Sequence, residues 1–264
     1  MDNLDIGNGA RKLFAIRLFG SVDIVVTTTW ISLLLVTVSL IVIGWLAGRK
    51  LTKRPGRFQV IVEKLVSMLY NLVEQTMGKH NLKYAPYIGT LFLSSFFCSL
   101  IGMLQIVPSA TGDLMVTLGW ALITSALCWY ENIRNNGFLG FLKGFTEPIA
   151  VMTPMNLISE IAQPVSMAFR HFGNVAGGGV LTSIIYAALA SLSTLVFSFL
   201  PDKILSLIPP VFQIGIPAFL SIYFDLFSGF VQAFVFCLLT MVYVGTANPP
   251  PAEHKETAEE TKSN

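Results

Sequence analysis

The chain has 264 residues, of which 53% are hydrophobic and only 12% are charged, and its formal net charge is +2. Soluble domains carry about 25% charged residues, so the composition excludes an ordinary soluble protein and indicates a polytopic protein of the lipid bilayer. A net charge this small, without a stripe of lysines and arginines, argues against nucleic acid as a partner.

Cysteines and histidines suggest neither a disulfide framework nor a metal site. The cysteines are Cys98, Cys128 and Cys237, and the histidines are His80, His171 and His254. All three cysteines lie in apolar runs, where they behave as small hydrophobic residues. The histidines lack metal-ligand spacing. We therefore predict no metal and no cofactor.

The first predicted span covers residues 25–48. A dense basic cluster follows it at 49–57, and by the positive-inside rule that end of the span lies in the cytoplasm. Residues 1–22 then form an extracytoplasmic N-terminal segment, although three basic residues within it favour the opposite orientation. The apolar run is long enough to span, so we interpret it as a retained helix rather than a cleaved signal.

Residues 57–79 show a different pattern. Apolar residues such as Ile61, Leu65 and Leu72 recur at helical spacing, with polar residues largely on another face. This pattern predicts an amphipathic helix along the cytoplasmic interface. The alternative is a soluble helix packed on a partner.

Four further apolar segments follow, at 86–107, 114–130, 149–200 and 214–244. The third is a run of 52 residues, more than twice the ~20 that span a bilayer upright. It either turns back midway or forms one long, steeply tilted helix, with Pro154 and Pro164 as sites for a kink. The predicted fold class is therefore all-α, with a membrane domain at 23–244 and a polar cytoplasmic tail at 245–264.

Arg170 lies within the longest apolar run. A guanidinium stays protonated in proteins, and a charge inside the membrane costs from about 3 to more than 10 kcal/mol. At about 100° per residue, Gln163, Ser166 and Asn174 share the face of Arg170. Beyond them the face becomes smooth at Gly177, Gly178 and Gly179. Small residues of this kind let another helix approach closely.

The last predicted helix carries a second polar face. Asp225 and Gln232 are seven positions apart, a spacing that places them on one side of an α-helix. An Arg170–Asp225 salt bridge that pins the two helices is one interpretation. A surface past which a partner slides is the other, and the glycines favour it. His171 lies about 100° round from Arg170, so we expect a polar contact to a neighbouring helix, with a proton relay as the alternative.

Four stretches resemble, in order, the subunit a family of F-type ATP synthases. They are "TLFLSSFFCSLIGMLQIVPSATGDLMVTLGWALIT", "GFLKGFTEPIAVMTPMNLISEIAQP", "AQPVSMAFRHFGNVAGG" and "DLFSGFVQAFVFCLLTMVYVG". The third is similar to the family's "AKPISLSLRLFGNxxAG". Together the matches cover roughly residues 85–245, whereas residues 1–84 match in topology rather than in wording.

The resemblance implies a fold, a set of partners and a location. The fold has an outside N-terminus, an interfacial second helix, and two final helices that form a long tilted hairpin against a rotating ring of c subunits. The c-ring, peripheral-stalk subunit b and the rest of the ATP synthase complex are the implied partners, in the plasma membrane. The chain itself would hold no catalytic site.

The implied mechanism uses two offset half-channels that do not meet. Protons, or sodium ions, enter one half-channel, neutralise a ring carboxylate, travel with the ring and leave through the other, which couples ion flow to ATP synthesis. Arg170 is implied to lie between the half-channels, where it favours the ionised ring carboxylate and blocks direct leakage.

Other positions follow from matching the motifs one by one. Where many relatives have an acidic residue, this chain has Gly179, and we expect Asp225 to supply the missing carboxylate from the other helix. Asn174 and Gln232 are expected to line the polar path. Asp113 matches the family's acidic residue at the channel mouth, although Met115 replaces the usual asparagine there.

The cytoplasmic end departs from the family as well. Ser159 replaces the first acid of the family's "EEL", which leaves Glu160 as the candidate for the cytoplasmic exit. Its place towards the start of the long apolar run agrees with the cytoplasmic end in the predicted topology.

Three alternatives remain at this point. A stand-alone ion-coupled secondary transporter with an Arg–Asp gate predicts an internal repeat, and the sequence shows none. A membrane-embedded enzyme needs a catalytic cluster. A purely structural assembly subunit leaves Arg170 and Asp225 unexplained.

Overall fold

The computed structural model describes residues 12–18, 22–49, 56–103, 109–146, 150–196 and 222–250. Most of these residues are helical, and five helices are long and apolar enough to cross a membrane. The prediction of an all-α polytopic membrane protein with five spans is therefore confirmed.

A two-stranded antiparallel hairpin precedes the first span. Strand β1 is Lys12–Leu18 and strand β2 is Val22–Thr27. The sequence analysis placed residues 25–27 in the first helix, which begins instead at Thr28. β-branched residues are restricted at χ1 and favour strands over helices, so the run "VDIVVT" pairs as a strand.

Helix α1 is Thr28–Gly48 and helix α2 is Arg57–Met77. Most of the basic cluster between them lies outside the described residues. Helix α2 ends at Met77, two residues earlier than predicted. The next residue, Gly78, has a φ of 82°, in the left-handed region that favours glycine at a helix end. Phe58 on α2 is 66% exposed, whereas Val73 further along is fully buried. The apolar stripe of α2 is thus packed within the chain only towards its C-terminal end.

A 3₁₀ turn, Lys79–Tyr84, leads into helix α3, Ala85–Met103. Residues 104–108, the end of the predicted span, lie outside the described residues. A second short 3₁₀ turn, Ala110–Gly112, precedes the next helix.

Helix α4, Leu114–Gly144, is longer than the predicted span at 114–130. It continues past the predicted end, and Glu131, the first charge beyond residue 130, is buried and ion-paired. The single interruption within α4 is Gly137, with a φ of 71°. The helix therefore extends beyond the predicted span, whose limits in the membrane stay a prediction.

Helix α5, Thr153–Val196, is one helix of 44 residues. Of the two alternatives for the long apolar run, the single long helix is right and the midway turn is wrong. Pro154 lies in the first turn, where no intrahelical N–H is needed. Pro164 lies inside the helix and cannot donate to the carbonyl of Glu160. Residues 147–149 and 197–221, with the predicted turn of the hairpin, lie outside the described residues.

The last span begins with a π-helix. Its described part is Ile222–Ser228 in π conformation, followed directly by helix α6, Gly229–Ala247. The sequence analysis treated this region as a regular helix from 214 to 244, so both the conformation of its start and its C-terminal limit differ. Residues 251–264 of the predicted tail lie outside the described residues.

The chain divides into two compact units. Unit 1 comprises residues 1–38, 94–117 and 169–233, and unit 2 comprises residues 39–93, 118–168 and 234–264. The core of unit 1 contains fully buried Ser95, Cys98 and His171, and that of unit 2 contains Ile88 and Phe236, each about 1% exposed. Both cores mix apolar with polar side chains, and the polar ones are candidates for function.

Candidate functional site

Arg170 lies on an exposed side of α5. Over the described residues, no ion pair or hydrogen bond joins its guanidinium to another side chain. Ser166, Gly173 and Gly177 on the same side are also exposed. A Cβ atom added at Gly173 or Gly177 would meet nothing within 4 Å. This side of α5, which we call the Arg170 face, is therefore open within the described part of the chain.

The other side of α5 is packed. Met167 is 2% exposed, and Ala168 and His171 are fully buried. The Nε2 atom of His171 lies 3.1 Å from the hydroxyl of Ser95 on α3. This is a polar contact to a neighbouring helix of the kind expected for His171. Since adjacent residues point about 100° apart, burial of His171 turns Arg170 outwards.

Asn174 joins α5 to the start of α6 within unit 1. Its Nδ2 donates to the backbone carbonyl of Ser228 at 3.3 Å, and the Ser228 hydroxyl donates to Asn174 Oδ1 at 2.8 Å. Gln232, one turn further along α6, is 8% exposed, and its buried Nε2 has no hydrogen-bond partner among the residues that the structure describes. A buried unpaired amide is costly, and a path that carries water or ions would satisfy it.

Asp225 lies in the π-helix, and its side chain is outside the described part of the structure. A π-helix bonds i to i+5, so each residue turns through less than the roughly 100° of an α-helix. The shared face of Asp225 and Gln232 was derived from a regular α-helical spacing, which the π-helix does not have, and it stays a prediction.

Hydroxyl side chains form a second polar group in unit 1. Thr111 lies 3.2 Å from the hydroxyl of Ser99 and 2.8 Å from that of Ser109, and Ser109 donates to the carbonyl of Cys98 at 2.8 Å. These contacts hold the turn before α4 against α3. They supply buried polar atoms that the sequence analysis did not single out.

Asp113 caps α4. Its Oδ1 accepts the backbone N–H of Met115 at 3.0 Å, and its Oδ2 accepts the hydroxyl of Thr29 at 3.1 Å. An aspartate at this position satisfies a free N–H of the first helical turn. The residue predicted at the channel mouth thus also has a structural role.

Glu160 lies in unit 2 and is partly buried. Its Oε1 accepts a hydrogen bond of 2.5 Å from the indole Nε1 of Trp129 on α4. The indole is a donor only, so it holds the carboxylate in one orientation. Trp129 lies near the end of the predicted span 114–130, and no sequence pattern indicated this contact.

Glu131, also in unit 2, is the most deeply buried carboxylate among those the structure describes, at 2% exposed. Its Oε1 accepts from Lys83 at 2.8 Å and from the hydroxyl of Tyr84, and Arg134 lies 3.8 Å away. This cluster ties the 3₁₀ turn before α3 to α4. The sequence signal was a single glutamate after an apolar run, with no local hint of its partners.

Some residues that the sequence analysis missed did carry a pattern. Ser95 and Ser99 are four apart in "LSSFFCSL", and such residues lie on one side of a helix. Their hydroxyls are a buried polar row on α3. Ser228 also carried a pattern, since it lies at helical spacing beside Asp225 and Gln232, but its contact with Asn174 could not be predicted because that partner is remote in sequence.

The fold and these polar groups define a class: a multi-pass membrane protein with ionisable side chains among its membrane helices, which is typical of ion-translocating proteins. The family model described as "ATP synthase A chain" matches residues 27–245. The chain belongs to this family, and it works as an ion-transporting membrane subunit of ATP synthase. The family supports this function and not the stand-alone transporter.

Three relatives illustrate the match. "ATP synthase subunit a, sodium ion specific" of Propionigenium modestum is 35% identical, with 84% of this chain and 73% of that protein covered. "ATP synthase subunit a" of Streptococcus agalactiae is 31% identical, with 86% and 92% covered. "ATP synthase subunit a" of Moorella thermoacetica is 30% identical, with 83% and 88% covered.

Proposed function

We propose that the Arg170 face of α5 is the surface of this subunit that meets a ring of c subunits, and that Arg170 pairs in turn with a carboxylate on each. Arg170 favours the ionised form of that carboxylate, so the ion leaves on the exit side and a new ion binds on the entry side. A fixed cation between the two paths also repels a proton passing directly from one to the other.

One observation carries this proposal: Arg170 is exposed and has no ion-pair partner over the described residues, and the small residues Gly173 and Gly177 lie on the same face. A permanent charge in a membrane helix needs a partner or water. The open face around it suits a helix from another subunit, which small residues allow to come close.

The two half-channels are proposed from the polar groups of each unit. In unit 1, Asp225, Gln232 and the hydroxyls of Ser95 and Ser99 line the path from the outside. In unit 2, Glu160 opens the path to the cytoplasm. Asn174 has a further role that is argued below.

The remaining features of the proposal concern the assembly. The subunit lies in the plasma membrane with its N-terminus outside and its C-terminus in the cytoplasm, and it contacts peripheral-stalk subunit b. It contributes no catalytic site for ATP. The transported ion is a proton, and sodium is the second candidate because the Propionigenium modestum relative is named as sodium ion specific.

Cysteine crosslinking in native membranes tests the proposal. Ser166→Cys and Gly173→Cys lie on the exposed Arg170 face, whereas Ala168→Cys is a control on the packed side of the same helix. We expect the first two to crosslink to a small, abundant two-helix subunit and the control to give no such adduct.

Two outcomes would contradict the proposal. Equal crosslinking from both sides of α5 would mean that the Arg170 face is not a specific contact surface. Crosslinks only to α6 of the same chain would make Arg170 an internal clamp.

A further inference from the structure

We propose that Asn174 is a positioning residue: by holding Ser228 at two atoms it fixes the π register of the backbone Ile222–Ser228, the stretch that carries Asp225. The inference rests on the proposed function, since it takes Asp225 as a group on the ion path. It assigns Asn174 a task other than lining that path.

The contact lies at the junction between the π-helix and α6. Ser228 is the last π residue and Gly229 the first α residue. A change of helix type leaves a carbonyl near the junction without its regular partner, and Asn174 Nδ2 donates to the carbonyl of Ser228. Its Oδ1 accepts the Ser228 hydroxyl. One side-chain amide therefore binds both the backbone and the side chain of the junction residue.

Helix α3 holds the next two residues. A Cβ added at Gly229 would lie 3.1 Å from Cβ of Ser99, so the two backbones are already close. The ring of Phe230 packs edge-on against Phe96 with 5.6 Å between centroids. Three consecutive residues of the last span, Ser228 to Phe230, are thus held by α5 and α3.

The contacts that hold residues 228–230 determine how the preceding residues, 222–227, are rotated about the helix axis. With residues 228–230 fixed, a π-helix and an α-helix over 222–227 would place backbone position 225 at different rotations about the helix axis, because they turn by different angles per residue. The stacked rings of Tyr223 and Phe227, 5.5 Å apart, lie in the same stretch and would be re-spaced by the change. The Asn174–Ser228 contact is the polar interaction that favours the π register.

The test uses the assembled ATP synthase in inverted membrane vesicles. Asn174→Ala removes both hydrogen bonds and Ser228→Ala removes one. Since two net hydrogen bonds correspond to roughly a tenfold step in rate, we expect about tenfold slower ATP-driven ion flux for Asn174→Ala and a smaller loss for Ser228→Ala. The double variant should be no slower than Asn174→Ala alone, because both changes break one contact.

A second readout separates positioning from lining. Single cysteines placed in turn at positions 223–227 are labelled with a water-soluble thiol reagent, with and without Asn174→Ala. We expect the position of strongest labelling to move by one residue when Asn174 is replaced. Deletion of Ile222, which removes the extra residue of the π turn, should give the same shifted pattern with Asn174 intact.

Ser183→Ala is the matched control. Ser183 also lies on α5, but within the described part of the chain its hydroxyl donates only to the carbonyl of Gly179 in the same helix, so flux and labelling should stay unchanged. If Asn174→Ala fails to assemble, Ser228→Ala carries the same test with a smaller change.

The outcomes distinguish this inference from the proposed function. Slow flux with an unmoved labelling pattern would mean that Asn174 lines the path. That result would overturn the positioning role of Asn174 and leave the proposed half-channels intact. Unchanged flux with an unmoved labelling pattern would also overturn the positioning role of Asn174. Normal ion pumping by an Arg170→Ala enzyme would instead overturn the proposed function.

Discussion

At the residue scale, the permanent charge of Arg170 needs an ionic partner or water, because a charge in a membrane helix is costly. Breaking up a buried ion pair by removing one partner typically costs 3–5 kcal/mol, so an unpaired guanidinium among apolar helices is an unstable arrangement for an isolated subunit. The chain turns Arg170 outwards through the burial of His171 and Ala168 on the packed side of α5. We infer that the partner comes from another subunit.

Arg170→Ala should abolish ATP-driven ion pumping while the soluble sector still hydrolyses ATP. The reason is that the ring carboxylate loses the cation that favours its ionised form. Fluorescence quenching of a pH-sensitive dye in inverted vesicles, alongside phosphate release, measures both. Arg170→Lys is the control, since it keeps the charge but loses the planar fork of donors; it should retain part of the pumping, and normal pumping by Arg170→Ala would contradict the mechanism.

Asp225→Asn should slow ion transport strongly, because it removes the carboxylate proposed for the outer path. Adding Gly179→Glu should recover part of the rate. Over the described residues, a Cβ at Gly179 would meet nothing within 4 Å. Ion flux in the single and double variants measures the effect, and a double variant as slow as the single one would refute the exchange of carboxylates between the two helices.

Trp129→Phe should reduce ion flux by about tenfold, because hydrogen bonds to charged groups contribute roughly 1.5–3 kcal/mol and each 1.36 kcal/mol is a factor of ten in rate. The indole N–H is the donor that orients Glu160. Trp45→Phe is the matched control, since that ring is 57% exposed on α1. Equal flux in the two variants would show that the orientation of Glu160 is unimportant.

At the scale of the helices, glycine decides how long elements end or bend. Gly78 ends α2 and Gly137 interrupts α4, both at positive φ. Other residues pay about 1–2 kcal/mol in that region because Cβ approaches the following carbonyl. The pattern of apolar residues shows that a helix is present, but it does not reveal which of the 21 glycines adopts such a conformation.

Gly137→Ala should destabilise the protein by about 1–2 kcal/mol through this strain. Gly119→Ala is the control on the same helix. A Cβ at Gly119 meets nothing within 4 Å, and alanine is the better helix former, so stability should stay equal or rise. Thermal release of this subunit from the purified complex measures both variants, and equal melting of the two would contradict the assignment of strain to Gly137.

The same scale explains why the length of α5 was predicted only as one of two alternatives. Nothing in the apolar run 149–200 distinguishes a turn from a continuous helix, because both bury the same side chains. The contacts of His171 with Ser95 and of Asn174 with Ser228 hold the middle of α5 against α3 and α6. These are tertiary contacts between residues 54 or more positions apart, which a local pattern cannot reveal.

At the scale of the whole molecule, the charge asymmetry of the loops determines orientation. Met115 is 72% exposed just after the connection 108–113, which has no lysine or arginine, and Thr146 is exposed in the connection 131–148, which carries Arg134 and Lys143. By the positive-inside rule we expect the first connection outside and the second in the cytoplasm. The cysteines native to the chain are free and buried, so they should react little with added reagents.

Met115→Cys and Thr146→Cys should therefore react from opposite sides of the membrane with a membrane-impermeant maleimide. We expect Met115→Cys to react in right-side-out vesicles and Thr146→Cys in inverted ones, with the unsubstituted chain as the blank. Reaction of both from one side would mean that α4 does not cross the membrane. Exchange of the two sides would reverse the proposed orientation.

The sequence alone determined the class of the protein, its five spans and its family. These features depend on composition, on apolar runs of sufficient length and on local motifs such as "FRHFGN", all of which are written in short stretches of chain. The amphipathic α2 was predicted in the same way, to within two residues at its end.

Tertiary structure decided what the sequence left open. It set the unbroken course of α5, the burial of Glu131 between Lys83 and Tyr84, and the Asn174–Ser228 contact at the start of α6. The π conformation of Ile222–Ser228 belongs with these, since the apolar pattern of that stretch predicts a regular α-helix. The physical reason is common to all of them: helix periodicity is local, whereas the partner of a buried polar group is supplied by whichever distant segment packs against it.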